Sequence, residues 1–237
     1  MKTEPSNMRI AIFTSCLVNT FRPAIGDATL KILESNGFQV DIPDVQTCCG
    51  LFPQNSGDHK EARKLEKAAL KQLKDYDFVV SPSHACTQHL QNTVKDCCHS
   101  SARKYYEITE FLTSFSKPPY GPTEHLQWGP VGVLETSETP TLFGSSSSTK
   151  SVLAARPNVN LVNLPDAMPY SPKESKNSQS LSHQMLKSLQ NSGAGLIVGT
   201  DLGLLMQAAA GLKRLGSAIE IRHVTEVLAN TVKTSPL

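Results

Sequence analysis

Short apolar runs alternate with helical patterns along almost the whole chain, and this alternation constrains the fold more than any other feature. Residues 8–13, 38–42 and 78–80 have the patterns of strands, and helical patterns lie between them at 22–36 and 58–73. A helix that connects two strands returns the chain to the same end of the sheet, so the strands become parallel. The sequence therefore predicts an α/β fold that begins with a parallel sheet.

The pattern is interrupted once and then restarts. Two more helical stretches are predicted at 87–95 and 105–115, and a segment rich in proline and glycine follows at 118–130. After it, strand and helix patterns alternate again up to the last residues. We therefore expect a first domain at 1–117, a linker at 118–130 and a second domain at 131–237.

The two halves have similar sequences in the same order. Three segments recur at offsets of 116, 122 and 118 residues, pairing 108–112 with 224–228, 42–45 with 164–167, and 78–80 with 196–198. A single match between apolar residues arises easily by chance, but three matches at similar offsets favour an internal duplication. The fold class predicted is two tandem, duplicated α/β half-domains, each with a parallel sheet.

Composition excludes several classes of function. The 237 residues carry 23 basic and 21 acidic side chains, a formal charge of +2, and no basic block that would bind nucleic acid or an anionic membrane. No apolar run approaches the ~20 residues that span a bilayer, and the first seven residues are too polar for a secretory signal. We therefore expect a cytoplasmic protein without a membrane span, in which cysteines stay reduced.

Four cysteines follow strands of the first half. Cys16 follows the first strand, Cys48 and Cys49 follow the second, and Cys86 follows the third; 31 residues separate Cys16 from Cys48, and 36 separate Cys49 from Cys86. Because parallel strands end at one edge of the sheet, these four thiols are predicted to meet in loops there. Thiolates are soft ligands that suit an iron–sulfur cluster or zinc, and Gly50 would permit a tight turn beside them.

Other interpretations of the cysteines remain open. The four thiols could be unrelated core residues, because free cysteine packs like a small apolar side chain. Cys97 and Cys98 lie near a helix end and are interpreted as packing thiols. His84 could be a ligand or could donate a hydrogen bond to sulfur, although a solvated histidine in a loop is also expected from its position.

The cysteine pattern resembles a known family. Cys16, the segment Cys48-Cys49-Gly50 and Cys86 are similar to the cysteine-rich CCG domain, which heterodisulfide reductases and iron–sulfur oxidoreductases share. The resemblance is closest to the lactate utilization protein A type and covers nearly the whole chain. It extends through residues 14–19, 43–50, 55–57 and 82–83 of the first half, and through 201–203 and 222–228 of the second.

The resemblance implies a cofactor and a role. Cys16, Cys48, Cys49 and Cys86 would hold one [4Fe-4S] cluster, in an electron-transfer subunit of a cytoplasmic complex that oxidises L-lactate to pyruvate. The partners would be the other subunits of that oxidoreductase complex. An alternative from another class is a non-catalytic scaffold or partner-docking protein of the same family, with zinc in place of the cluster.

The sequence departs from the family pattern in two places. In the broader family the last loop of the motif often contains two cysteines, and Ser83 occupies the first of these positions here. In the second half, the offsets match the four cysteines to Ser137, Tyr170, Ser171 and Leu204. The resemblance therefore implies that 131–237 is a degenerate repeat without a cluster, in which Leu204 is expected to be buried.

Overall fold

The computed structural model describes residues 8–44, 46–97, 104–122, 129–135, 148–157, 159–164, 181–231 and 235–237. The chain forms two compact units, Met1–Ser116 and Lys117–Leu237. The strands of the described residues form two four-stranded sheets, one in each unit, and every pair of neighbouring strands is parallel. The predicted α/β fold in two similar halves is confirmed.

The first unit contains four strands with helices between them. Its elements are β1 (Ile10–Ile12), α1 (Cys16–Phe21), α2 (Ala24–Ser35), β2 (Val40–Asp41), α3 (Leu51–Asn55), α4 (His59–Leu73), β3 (Phe78–Ser81), α5 (His84–Cys97), β4 (Tyr105–Glu107) and α6 (Ile108–Phe115). The strand order is β2-β1-β3-β4. Because β1 is followed by β2 on one side and pairs with β3 on the other, the order reverses between β1 and β3.

The second unit repeats this arrangement. Its elements are β5 (Pro130–Val133), α7 (Ser148–Ala154), β6 (Asn160–Val162), α8 (His183–Gln190), β7 (Leu196–Gly199), α9 (Leu202–Arg214), β8 (Glu220–His223) and α10 (Val224–Leu228). The strand order β6-β5-β7-β8 matches that of the first sheet when each strand is compared with its counterpart. Pro130, which the sequence analysis assigns to the linker, is the first residue of β5.

Helix α4 illustrates why the sequence forms these elements. The carboxylate of Asp58 accepts a hydrogen bond from the backbone N–H of Glu61, which satisfies one of the free donors at the start of the helix. Ala62, Ala69 and Leu73 lie on one side of the helix and are buried. The predicted helix start at Asp58 is confirmed.

The prediction of a helix over 105–115 is wrong for its first three residues. Tyr105, Tyr106 and Glu107 pair with β3 in parallel register as β4, and the helix begins at Ile108. Aromatic side chains pack well on the pleated surface of a sheet, and both tyrosines are buried here. The two short helices α1 and α3 were not predicted, because each spans less than two full turns.

Candidate metal centre

The four cysteines of the first unit lie at the carboxyl edge of its sheet. The loops after β1 and β3 diverge there because the strand order reverses between these strands, and such a position is where open α/β sheets form their binding sites. Cys16 comes after β1, Cys86 after β3, and the Cys48–Cys49 pair lies between β2 and α3. The topology alone therefore brings three separate segments to one crevice.

The four thiols form one connected group. The Cys16 and Cys48 Sγ atoms are 3.7 Å apart, and the Cys49 and Cys86 Sγ atoms are 3.2 Å apart. Cys49 also interacts with the neighbouring Cys48 thiol, which connects the two pairs. The structure thus brings together every cysteine that the sequence analysis selected.

The expectation that these cysteines lie in loops is wrong for two of them. Cys16 is the first residue of α1, and Cys86 is the third residue of α5, whereas Cys48 and Cys49 lie in an irregular segment. Cys49 and Cys86 are buried among the apolar side chains of the first sheet, and Cys16 and Cys48 are partly exposed. Access to the group from solvent is therefore on the side of Cys16 and Cys48.

Gly50 forms the turn that follows the cysteine pair. Its φ of +95° lies in the left-handed region, where a side chain would be strained. A Cβ atom at this position would also lie 2.9 Å from the backbone oxygen of Ala62 and 2.9 Å from Glu66 Cγ. Glycine is therefore required both by the backbone conformation and by the close approach of α4.

Gln46 ties the cysteine pair to the end of β1. Its Oε1 accepts hydrogen bonds from the backbone N–H of Thr14, at 2.8 Å, and from the Thr14 hydroxyl, at 3.1 Å. Its Nε2 donates to the backbone oxygen of Ile12 at 3.1 Å. Three bonds from one side chain hold the segment before Cys48 next to the segment that carries Cys16.

The pKa values show how the group distributes charge. The Cys16 thiol and the Gly50 N–H donate to Cys48, and these hydrogen bonds, with the neighbouring Cys49 and His89, hold the pKa of Cys48 well below its ordinary value of 9.0. Donation to Cys48 and burial raise the pKa of Cys16 and of Cys49. Ionisation is thus easiest at Cys48, and deprotonating the other thiols as well requires added positive charge.

The donor set has the chemistry of a site for a soft metal or an iron–sulfur cluster. Among the described residues, no three Cys, His, Asp or Glu side chains surround one point closely enough to hold a lone metal ion. The four sulfurs are instead arranged as two linked pairs. Iron–sulfur clusters take four cysteine thiolates, one for each iron of a [4Fe-4S] group, so the type and number of these ligands suit one.

The remaining residues of the motif have other positions. His84 is the first residue of α5 and is half-buried, so the expectation of a solvated histidine in a loop is wrong. Ser83, at the position where the broader family often has cysteine, accepts a hydrogen bond from the N–H of Cys86 at 3.3 Å. Cys97 is the last residue of α5, and Cys98 lies outside the described residues.

Sequence reasoning missed the residues that support the site. Gln46 and Thr14 stand inside the motif, but nothing in their pattern shows that they bond to each other. Glu66 and His89 are 3.0 Å apart, between Oε1 and Nε2, and they lie on α4 and α5 beside Gly50. The only signal in the sequence for Glu66 and His89 is their position on the helical patterns of α4 and α5.

The second unit has an apolar residue at the one matched position that the structure describes. Leu204, which matches Cys86, is 3% exposed and packs with Leu134, Leu205 and Ala208. The prediction that Leu204 is buried is confirmed. Ser137, Tyr170 and Ser171, which match the other cysteines, lie outside the described residues.

None of the described helices is long and apolar enough to cross a membrane. Among solved structures, a hypothetical protein from Helicobacter pylori aligns over 98% of this chain and 51% of its own, at a TM-score of 0.48 and 12% identity. That similarity is too weak to bear on fold or function.

Comparison with known proteins identifies the family. Residues 10–91, which contain all four cysteines of the site, match the family described as the CCG cysteine-rich domain. A lactate utilization protein A from Bacillus subtilis is 30% identical over 93% of this chain and 99% of its own length. The protein of the same name from Geobacillus kaustophilus is 29% identical over 93% and 98%. The chain belongs to the family of lactate utilization protein A, and its CCG domain lies in the first half.

Proposed function

We propose that the chain is an iron–sulfur electron-transfer subunit of a cytoplasmic oxidoreductase complex that oxidises L-lactate to pyruvate. The observation that carries the proposal is the meeting of Cys16, Cys48, Cys49 and Cys86 in one connected group of sulfurs at the sheet edge. Lactate is proposed as the substrate because the relatives are named lactate utilization proteins. The match to this chain covers nearly the whole length of each of them.

The four cysteines would hold one [4Fe-4S] cluster, which supplies one-electron transfer when bound. The chain favours it by lowering the pKa of the Cys48 thiol and by directing the Gly50 N–H at the Cys48 sulfur, 3.5 Å away. Cys49 and Cys86 are buried, so among the described residues of the first unit the partly exposed Cys16 and Cys48 offer the side that a redox partner would approach. The partners proposed are the other subunits of the oxidoreductase complex.

The cofactor is tested by metal analysis of the full chain. Protein purified without oxygen should be brown, should contain iron and acid-labile sulfide, and should lose its visible absorption when dithionite is added. Its iron content should correspond to one cluster per chain. A colourless protein with one zinc and no iron, purified from cells replete in iron, would contradict the proposal.

The reaction is tested in extracts of the cells from which the chain comes. An anaerobic extract depleted of the chain should no longer convert L-lactate to pyruvate, and adding back the purified chain should restore the conversion. The Cys48→Ser variant should fail to restore it, and the Cys97→Ser variant should restore it fully. Unchanged pyruvate formation after depletion would separate this chain from lactate oxidation.

One distance favours a second candidate function, a zinc-stabilised scaffold. Tetrahedral zinc with Zn–S bonds of about 2.3 Å places two thiolate sulfurs about 3.8 Å apart. The Cys16 and Cys48 sulfurs are 3.7 Å apart and match this spacing, whereas the Cys49 and Cys86 sulfurs, at 3.2 Å, do not. The metal analysis above decides between the two candidates, because only the cluster brings sulfide and colour.

A further inference from the structure

A buried pair of polar side chains lies directly against the Gly50 turn. Nε2 of His89 and Oε1 of Glu66 are 3.0 Å apart, and the two side chains are only 11% and 12% exposed. A Cβ atom at Gly50 would lie 2.9 Å from Glu66 Cγ and 3.4 Å from His89 Nε2. The pair therefore forms the surface on which the turn rests.

The Gly50 turn orients a backbone hydrogen bond to the sulfur of Cys48. Gly50 donates its N–H to Cys48 Sγ, the sulfur that also accepts a bond from the Cys16 thiol. Gly50 has no side chain to anchor it, so its position depends on the atoms packed against its α-carbon. Those atoms come from α4, through Ala62 and Glu66, and from α5, through His89.

Hydrogen bonds to sulfur change the reduction potential of a cluster. A donor stabilises the more negative, reduced state more than the oxidised state, so each such bond raises the potential. A donor held in one place has a larger effect than one that moves, because the bond must be short and well aligned to be strong.

We propose that Glu66 and His89 are positioning residues that hold the Gly50 turn so that its N–H donates to Cys48 Sγ, and that they thereby raise the reduction potential of the cluster. The part that concerns the potential depends on the function proposed above. The part that concerns the turn does not, and it can be measured in the metal-free protein.

The first measurement is amide hydrogen exchange at Gly50 in the reduced, metal-free chain. Glu66→Ala and His89→Ala each delete atoms that contact Gly50, so its exchange should become about tenfold faster. Glu66→Gln keeps Cγ and can still bond to His89, so its exchange should stay close to that of the wild type. If the alanine variants do not fold, Glu66→Asp and His89→Asn, which shorten the side chains, should each speed exchange severalfold.

The second measurement is the reduction potential of the reconstituted cluster, followed by electron paramagnetic resonance. Both alanine variants should lower the reduced-to-oxidised ratio at a fixed potential by about tenfold, or ~59 mV for one electron. If charge acted directly, the two variants would shift the potential in opposite directions, and Glu66→Gln would raise it. Such a pattern would overturn the proposal.

Matched controls come from the exposed side of the same helix. Glu61 pairs with Lys64, and His59 bonds to Gln54, and neither supplies any of the three atoms nearest to a Cβ at Gly50. Glu61→Ala and His59→Ala should leave both readouts unchanged. Wild-type exchange at Gly50 in Glu66→Ala and His89→Ala would overturn the proposal whatever metal the protein holds, whereas faster exchange in a protein that never takes up iron would overturn only the proposed function.

Discussion

The two units have the same strand order but differ in what stands at the carboxyl edge of the sheet. In the first unit, the third residue of the helix after β3 is Cys86, whose sulfur contacts Cys49. In the second unit, the third residue of the helix after β7 is Leu204, which is buried among other leucines. The sheet and its helices are thus compatible with both a polarizable ligand and a plain apolar side chain at this position.

The fold and the metal-binding site depend on different residues. Both sheets are held by buried β-branched and aliphatic residues of the central strands, such as Ile12 and Val80 in one unit and Ile197 and Val198 in the other. A thiol in such a core packs much as a small apolar residue does. Replacing it by leucine therefore removes a ligand without removing the packing that stabilises the sheet.

The largest effect is expected from the cysteine pair of the first unit. Cys48→Ser and Cys49→Ser should abolish cluster binding, because a hydroxyl stays protonated at neutral pH and is a poor ligand for iron. Iron and sulfide per chain, measured after anaerobic reconstitution, should fall to background in both variants.

The matched control is the other cysteine pair. Cys97→Ser and Cys98→Ser should retain full iron content, because Cys97 is at the far end of α5 from Cys86. Equal loss of iron from both pairs would show that the ligands are wrongly assigned. An iron content near that of two clusters per chain would instead contradict the prediction that only the first unit binds a cluster.

The next effect concerns the apolar residue of the second unit. Leu204→Ala should lower the free energy of unfolding of this unit by about 2–5 kcal/mol, the usual cost of truncating a buried leucine. Iron content should not change. Urea titration followed by hydrogen exchange, with peptides from each unit, measures the two quantities separately.

The matched change in the first unit is Cys86→Ala in the metal-free protein. It removes a single atom, so its cost should be smaller, about 1 kcal/mol. If Leu204→Ala cost no more than Cys86→Ala, the packing role assigned to Leu204 would be wrong.

The units also differ at the residue that precedes their last helix. Glu107 caps α6 and accepts a hydrogen bond from the N–H of Thr109 at 2.8 Å. His223 caps α10, and its Nδ1 accepts from the N–H of Thr225 at 3.3 Å, which is 0.5 Å longer. Both caps are fully or almost fully buried. Among the described residues, Oε1 of Glu107 has no hydrogen-bond partner. Burial raises the pKa of Glu107 from 4.5 to about 8, although the bonds from Thr109 partly oppose this.

This difference predicts a pH dependence that originates in the first unit. Between pH 4.5 and 8 the folded chain keeps a proton on Glu107 that the unfolded chain has lost, so its contribution to stability is complete below pH 4.5 and is lost as the pH rises to 8. The free energy of unfolding should fall by ~1.4 kcal/mol from pH 6 to pH 7 on account of this group. Urea titrations at the two pH values measure it.

Glu107→Gln provides the control, since the amide keeps the shape and does not ionise. In this variant the part of the pH dependence that comes from Glu107 should vanish, and the variant should gain stability relative to the wild type at pH 8. An unchanged slope would mean that Glu107 is ionised in the folded protein.

The fold and the ligand set could be predicted from the sequence because both depend on local patterns. The strand after residue 9 and the helix after Asp58 follow from apolar spacing and a cap, and the topology of parallel strands then places Cys16 and Cys86 at one edge. The boundary between β4 and α6 could not be located, because Tyr105 and Tyr106 continue the apolar pattern of the helix while their partners in β3 are far away in the sequence.

The supporting contacts could not be predicted because they depend on side-chain geometry between distant segments. Gln46 bonds to Thr14 across 32 residues, and Glu66 meets His89 across 23. Each of these residues is common on protein surfaces, so its type gives no signal. Gln46 acquires its bonds to the end of β1, and Glu66 and His89 become a buried pair, only when the sheet edge has folded.

The smallest expected effect comes from the caps of the two matched helices. Ser83 accepts the N–H of Cys86 at 3.3 Å, and Asp201 accepts the N–H of Leu204 at 3.0 Å, so the two side chains perform the same task at an offset of 118 residues. Alanine at either position removes a cap, which costs about 1 kcal/mol. Asp201→Ala should cost slightly more than Ser83→Ala, because its carboxylate also interacts with the positive end of the helix dipole.

The two caps should also differ in their effect on iron binding. Ser83→Ala should additionally lower the affinity for iron, since the cap orients the first turn that carries Cys86, whereas Asp201→Ala should leave iron content unchanged. Urea midpoints and iron titrations of the two variants, compared side by side, measure both effects. A larger loss of iron affinity from Asp201→Ala than from Ser83→Ala would contradict the assignment of the metal centre to the first unit.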